Sequence, residues 1–476
     1  MLRFAPDLDP TTPDVLTQCD DYVPTVRGYE AMNEDTPRTS ALPGQCRGLY
    51  MGMKLDGTTR LFAGQDTSIQ ELVSGAWTSR GTYASNVNDK WQFAQFGDAS
   101  LAVRPDINLQ VSTSTTFSTI SGAPKAKVMA VCMGFVMLGN YNNGSAVPDG
   151  WYCSGIYDHT QWAPSVATQC ANGRLFDTPG EITAIHRLGD DLVFFKKESC
   201  YHARFVGPPV IWDIRLISPT IGCASPDGVC NIGGALVWSS GNDFWRYDGS
   251  SLPQSIGDGV RETWRAESFP VYLNRMIVRH DPENFRVFFW YVTLDNTLSG
   301  KPDKYLCYNY RSNLWGAGSK IAEDALRYEA ELTYNDMAKL LTFYADAPNE
   351  TYGSALWSST KNPFITIAND NHVVATMDGT PGFCSITTGD IGDVDRFSLL
   401  RRVTPGFLTA PVDALLGYYG RNHLQDAIVE DGTVGIDSRK RFDFLSAARW
   451  HRIKIATYGE CEITGFKPDL TKQGVE

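Results

Sequence analysis

One pattern recurs along this 476-residue chain and restricts its fold more than any other. Short apolar runs end in a tight turn and are answered by a second run rich in aromatic residues. The clearest copy is ALVWSSGNDFWRYDG, residues 235–249. LYMGMKLDGTTRLFAG (49–64), WQFAQFGDASLAVRPDINLQVS (91–112) and GEITAIHRLGDDLVFFKKESCYHARF (180–205) share its grammar. So do FRVFFWYVTLDN (285–296), with the run that follows it, and AKLLTFYADAPNETYGSALWSS (338–359). Asp-Gly or Gly-Asp between strand-like runs is a strong hairpin signal, because hairpin turns need positive φ at their central positions. The units recur roughly every 30–50 residues, the spacing of propeller blades. A ring of blades buries both faces of each small sheet and leaves only short edges. The expected fold is therefore all-β: a propeller of about six to eight blades over residues 46–376.

The flanks read differently. Residues 1–45 are rich in Pro, Asp and Thr without helical or strand period, which predicts an extended acidic arm. Residues 1–36 hold eight acidic and two basic side chains. Residues 377–476 read as a separate, smaller antiparallel β domain. Short helical turns are expected at residues 260–267 and 321–331. The longest apolar run, VMAVCMGFVML (128–138), is too short for a bilayer span and predicts a strand pair around Gly134. Residues 1–13 lack the apolar core of a secretory signal. The eleven cysteines contain no CxxC pair, so reduced, mostly buried thiols are expected rather than disulfides or zinc.

In a blade, large aromatics wedge between neighbouring sheets. Trp162, Gly222, Trp238, Trp245 and Trp315 are the expected structural core positions. Strand alternation is read as placing Val237 opposite Trp238 and Trp245 opposite Tyr247.

Catalytic signals are sparse. GxSxG, HExxH, Walker and dinucleotide-binding motifs are absent, and the seven histidines are scattered. A propeller glycosidase would need a carboxylate pair. Asp20-Asp21, Asp190-Asp191 and Asp390/Asp393/Asp395 are the candidates, each in a turn where Asp is favoured for geometry alone. The sialidase-type Asp-box is missing, and TTGDIGDVD (387–395) lacks the closing Glu of an EF-hand. A kelch-like IGGALVW occurs once, at 232–238, not as an array. No cofactor, catalytic metal or enzymatic activity is expected. A propeller-type binding module and a glycan hydrolase are the alternatives.

An ordered set of stretches resembles one family. GIYDHTQWAPSVATQCA (155–171), EITAIHRLGDDLVFFKKESCYHARFVGPP (181–209), ISPTIGCASPDGV (217–229) and ALVWSSGNDFWRYDG come first. TGDIGDVDRFSLLRRVTPGF (388–407) and ARWHRIKIATYGECEITGFKPDL (448–470) follow. Together they resemble the tail nozzle, or tail hub, proteins of short-tailed bacteriophages. The resemblance implies a structural virion protein assembled in the host cytoplasm: a propeller with a C-terminal platform domain, in a hexameric tube below the portal and its adaptor ring that continues the DNA-ejection channel and helps retain the packaged DNA. Implied partners are further copies of the chain, adaptor and portal proteins, tail fibre, spike or needle proteins, and double-stranded DNA passing through the lumen without sequence-specific binding; no insertion into a lipid membrane is expected. Arg401 and Arg402 are candidates for a lumen-facing or interface position. A net charge of −12 per chain disfavours a wall that grips DNA.

Overall fold

The computed structural model of the chain describes residues 2–328 and 364–472. Seven four-stranded antiparallel sheets follow one another, over residues 49–82, 92–119, 125–174, 182–218, 229–255, 277–319 and 324–377. The second and third join through a single Asn108–Lys125 pairing, and the seventh takes its outer strand, Asp35–Pro37, from the N-terminal segment. Sequence alternation explains the sheets. The strand Arg286–Tyr291 is buried on both faces because a blade is sandwiched between two neighbours.

Seven hydrophobic clusters fill the seven junctions. Phe62, Trp91 and Ala102 join blades 1 and 2; Leu101, Met129 and Leu138 join 2 and 3; Phe135, Ile182 and Phe194 join 3 and 4. Phe195 and Trp238 join 4 and 5; Val237, Phe244, Val278 and Phe289 join 5 and 6; Trp290, Ala325 and Ile367 join 6 and 7. Leu61, Ala63, Leu326 and Ala368 pack blade 7 against blade 1 and close the ring. Seven blades fall within the expected six to eight.

Beyond Met377 the chain builds two sheets of a sandwich. One runs Arg3–Phe4, Val15–Asp20, Phe383–Thr388, Trp450–Tyr458, Asp413–Arg421, Val429–Gly435. The other continues from the outer strand of blade 6, Leu314–Ser319, through Tyr22–Pro24 and Tyr29–Ala31 to Glu462–Lys472, Ser398–Thr409 and Phe442–Ala448. The largest cluster runs without a break from blades 5 and 6 into this sandwich.

Several expectations need correction. Residues 1–45 are not a free arm: five short strands from it enter the sandwich, blade 6 and blade 7. Their partners lie far away in sequence, so no local period marks them. The change from blade to sandwich falls between Met377 and Phe383, but the N-terminal strands belong to both bodies. The helical turn expected at 260–267 is the helix Arg261–Glu267, whereas Asp324–Tyr328, inside the turn expected at 321–331, is a strand paired with Phe364–Ala368. The hairpin unit at 338–359 lies outside the described residues. Residues 128–138 do form a strand pair, turning at Met133 (φ 50°) and Gly134 (φ 77°). At Asp56-Gly57 only Gly57 has positive φ, in a longer loop between Met53 and Thr59 rather than a two-residue type I′ turn. Trp245 and Tyr247 share a face, as residues two apart on a strand must; Trp245 pairs with Trp238 and Tyr247 with Leu236.

Candidate functional site: the propeller axis and the C-terminal sandwich

The expected core residues are structural. Trp238 is fully buried against Phe195 of blade 4, ring centroids 5.1 Å apart. Its indole N–H donates to the carbonyl of Gly222 at 3.0 Å, so two of the predicted positions meet. Gly222 is needed there because a Cβ would stand 2.3 Å from the Lys196 carbonyl oxygen. Trp245 is half-buried and donates to Ser240 Oγ at 3.0 Å. Trp315 is buried beside Phe244 and donates to the Ile256 carbonyl. Trp162 is buried edge-on to Tyr152 and donates to the His159 carbonyl.

The carboxylates considered for catalysis are dispersed, and most are occupied. Asp190 faces Arg187 at 3.4 Å, and Asp191 faces His202 at 2.9 Å. Asp20 accepts from Ser385, and Asp21 from the Tyr305 hydroxyl. Asp390 is enclosed by Arg421 and Arg452 beneath the sandwich surface, while Asp393 accepts from the backbone of Asp395 in the adjoining loop. Among the described residues no group of three or more His, Cys, Asp or Glu side chains is placed to hold a metal ion. All eleven cysteines are free and buried.

A polar constellation lies where the inner strands converge on the propeller axis, and the sequence reading did not single it out. Asp227, at the entry to blade 5, receives Lys90 of the segment entering blade 2 at 3.0 Å and Arg279 of blade 6 at 3.4 Å. Gln92 adds a hydrogen bond at 3.3 Å. Arg279 reaches on to Asp324 of blade 7 at 3.1 Å, and Asp324 accepts the backbone N–H of Leu49 in blade 1 at 2.6 Å. Five blades are thus tied by one chain of charge. Burial alone would raise the Asp227 carboxyl, but Lys90 and Arg279 outweigh it and hold it below the ordinary carboxylate range. At Asp324 burial wins and the pKa is raised. These charges neutralise one another across the axis, which makes the layer a strut between blades. The available signal was a charged residue in or just before an otherwise apolar inner strand.

His186 of blade 4 borders this layer, its Nε2 3.3 Å from the Pro226 carbonyl. Burial pushes its pKa down to about 4, against opposing contributions from that carbonyl and Asp227. An unfolded histidine titrates near ~6.5. Between those values the unfolded chain takes up a proton that the folded chain refuses. The stabilising effect is therefore complete above about pH 6.5 and drains away as pH falls toward 4. Residual solvent contact at His186 screens it, leaving a loss on the order of 2 kcal/mol. Urea melts of the parent and His186→Gln between pH 7 and 4.5 should converge as pH falls. An unchanged difference across that range would show that His186 does not carry the effect.

In the sandwich, Arg402 pairs with Asp443 at 2.5 Å. Arg401 is exposed and falls at a bulge, where the pairings to both neighbouring strands skip from Leu400 to Arg402. Large apolar side chains stand exposed on the sandwich: Leu445 (71%) on the strand paired beside Arg401, and, at the other end of Ser398–Thr409, Leu408, Val412 (86%) and the touching pair Phe383 and Tyr458. Among the described residues no helix is long and apolar enough to cross a membrane.

No protein-family model and no curated protein matches the chain. Among solved structures, it is similar to the extracellular domain of a hybrid two component system protein of B. thetaiotaomicron. That match has 10% identity and a TM-score of 0.45, over 92% of this chain and 57% of the other. The extracellular domain of a one component system protein from the same organism gives 8% identity and a TM-score of 0.41, over 83% and 47%. The computationally designed Ika8 protein gives 10% and 0.38, over 71% and 98%. The chain thus spans about half the length of the two bacterial chains. Likeness at this level carries no information on activity. The chain is an all-β protein built on a propeller.

Proposed function

We propose that this chain is a structural subunit of a phage tail, the nozzle below the portal and adaptor, and that its DNA conduit runs between copies in a ring rather than through any one propeller. The observation that supports this most is the sandwich surface. It leaves Leu445 in water on the strand beside the exposed Arg401, and Val412 in water with the Phe383–Tyr458 pair at the far end of Ser398–Thr409, on a body joined to blade 6 by one continuous sheet. Exposed apolar groups on a rigid body favour burial against a partner. Self-neutralised charges across the propeller axis fit a strut better than a pore. The six-fold ring, virion location, adaptor, portal and fibre partners rest on the family resemblance. The ring wall would be acidic overall and repel duplex DNA.

The test is assembly. Light scattering and negative-stain imaging of the pure protein, alone and mixed with the portal–adaptor complex, should show a closed ring that Val412→Glu and Leu445→Glu disrupt without lowering the melting temperature. A parent that stays monomeric in both settings would remove the ring. Tight, steeply salt-dependent binding of duplex DNA would remove the non-gripping wall.

A further inference from the structure

At one mouth of the propeller axis, five cations line a cleft: Arg47, Lys90, Lys127, Arg275 and Lys301. Three of them have carboxylate partners. Lys90 pairs with Asp227, Lys127 with Glu181 at 2.8 Å, and Lys301 with Glu323 at 2.8 Å. Among the described residues neither arginine has a carboxylate within ion-pair distance. Arg47 gives one guanidinium nitrogen to the Gln45 side-chain oxygen at 2.9 Å, while its Nε is buried with no hydrogen-bond partner. Arg275 donates to the Gly300 carbonyl at 2.8 Å and stacks over Tyr272 at 4.1 Å. Asp89, on the same rim, accepts from Asn86 and forms no ion pair among the described residues.

Two guanidinium groups without a direct ion pair beside one cleft repel each other. Burial and then the charge of Arg275 pull the Arg47 pKa down, against the opposing charges of Asp66 and Glu323. The cleft encloses about 70 Å³. It is partly open to solvent, with room for a small tetrahedral oxyanion. Arg presents planar donor pairs that match phosphate oxygens, which Lys does not.

We propose that Arg47 and Arg275 form an oxyanion site at the mouth of the propeller axis, which takes a phosphate group. The group is either free inorganic phosphate or a single phosphate of a strand lying across the mouth. Bound there, it would accept from the guanidinium groups of Arg47 and Arg275, offset their repulsion, and tie blade 1 to the segment entering blade 6. This site stands independently of the tail-assembly reading.

The test is titration calorimetry of the full chain with inorganic phosphate, at ionic strength held constant with chloride. The expected result is one site per chain, weakened about tenfold or more by either Arg47→Gln or Arg275→Gln, since a charged hydrogen bond is worth roughly that factor. Arg47→Lys, which keeps the charge and loses the fork, should fall between. Phosphate also stabilises proteins generally by exclusion, so the double Gln variant supplies the baseline. Only a rise in melting temperature above that baseline counts. Without phosphate, Arg47→Gln should melt no lower than the parent, because it removes a repulsion. A short DNA duplex that displaces phosphate would identify the backbone as the source; failure to displace it would identify the free ion. No saturable heat in the parent, the same heat in the double variant, or an Arg47→Gln protein destabilised equally with and without phosphate would each overturn the site.

Discussion

A chain lacking residues 2–37 should fail to fold. Those residues contribute all five N-terminal strands. Tyr22–Pro24 and Tyr29–Ala31 are the only link in the sheet between blade 6 and Glu462–Lys472 among the described strands, and Asp35–Pro37 completes blade 7. Leu2, Phe4, Leu16, Tyr22 and Tyr29 are buried in the largest cluster. Each such side chain is worth about 1.5–3 kcal/mol of burial, so the five together rival the whole net stability of a typical domain, about 5–15 kcal/mol. The deletion also removes buried hydrogen bonds, from Tyr22 Oη to Thr457 at 2.6 Å and from Tyr29 Oη to the Trp315 carbonyl at 2.9 Å. Asp7, which accepts the Glu262 and Thr263 backbone N–H groups at the start of the helix Arg261–Glu267, is lost as well. Expression with circular dichroism and size exclusion checks this. The truncated chain is expected in the insoluble fraction or without a cooperative melt. A soluble, monodisperse product melting within a few degrees of the parent would return residues 1–45 to the status of a detachable arm.

That segment also shows where reading the sequence stops. The blades were legible because their information is local: period-two alternation, a turn residue, then a paired strand a few residues on. Trp238 could be assigned to a blade junction from twelve residues of context. The N-terminal strands could not, because Tyr22 pairs with Ala317 and Asp35 with Met377, and strands of two to six residues carry too little alternation to register. The segment 321–331 was ambiguous for a related reason, since the partner of Asp324–Tyr328 begins only at Phe364. Charges at the axis were invisible in a further way. Lys90, Asp227, Arg279 and Asp324 come from separate repeats, and only ring closure brings them together. The carboxylates that were legible, in Gly-rich turns, have partners of their own and do not meet.

Asp227→Ala should cost about 3–5 kcal/mol, the usual price of removing one member of a buried ion pair. Lys90 would then be left without its carboxylate partner, while Arg279 would keep only Asp324. Acid should reproduce the loss in the parent. The folded carboxyl is held below its ordinary value of ~3.9, so its contribution is present above that pH and is lost as pH falls below it. The energy in this layer is the penalty of leaving charge unpaired, not the worth of the pair itself. A double variant, Lys90→Met with Asp227→Leu, should therefore recover much of the stability, because Arg279 keeps Asp324 and no cation is stranded. Urea melts with a common slope distinguish the cases. If the single variant costs less than about 1 kcal/mol, the axial charges are solvated and the axis is open. If the double variant is as unstable as the single one, the layer acts through geometry that methionine and leucine cannot replace. The expected order, with the parent most stable, the double variant next and Asp227→Ala last, would mean that the ion layer sets which blades meet at the axis while the apolar junctions supply most of the stability.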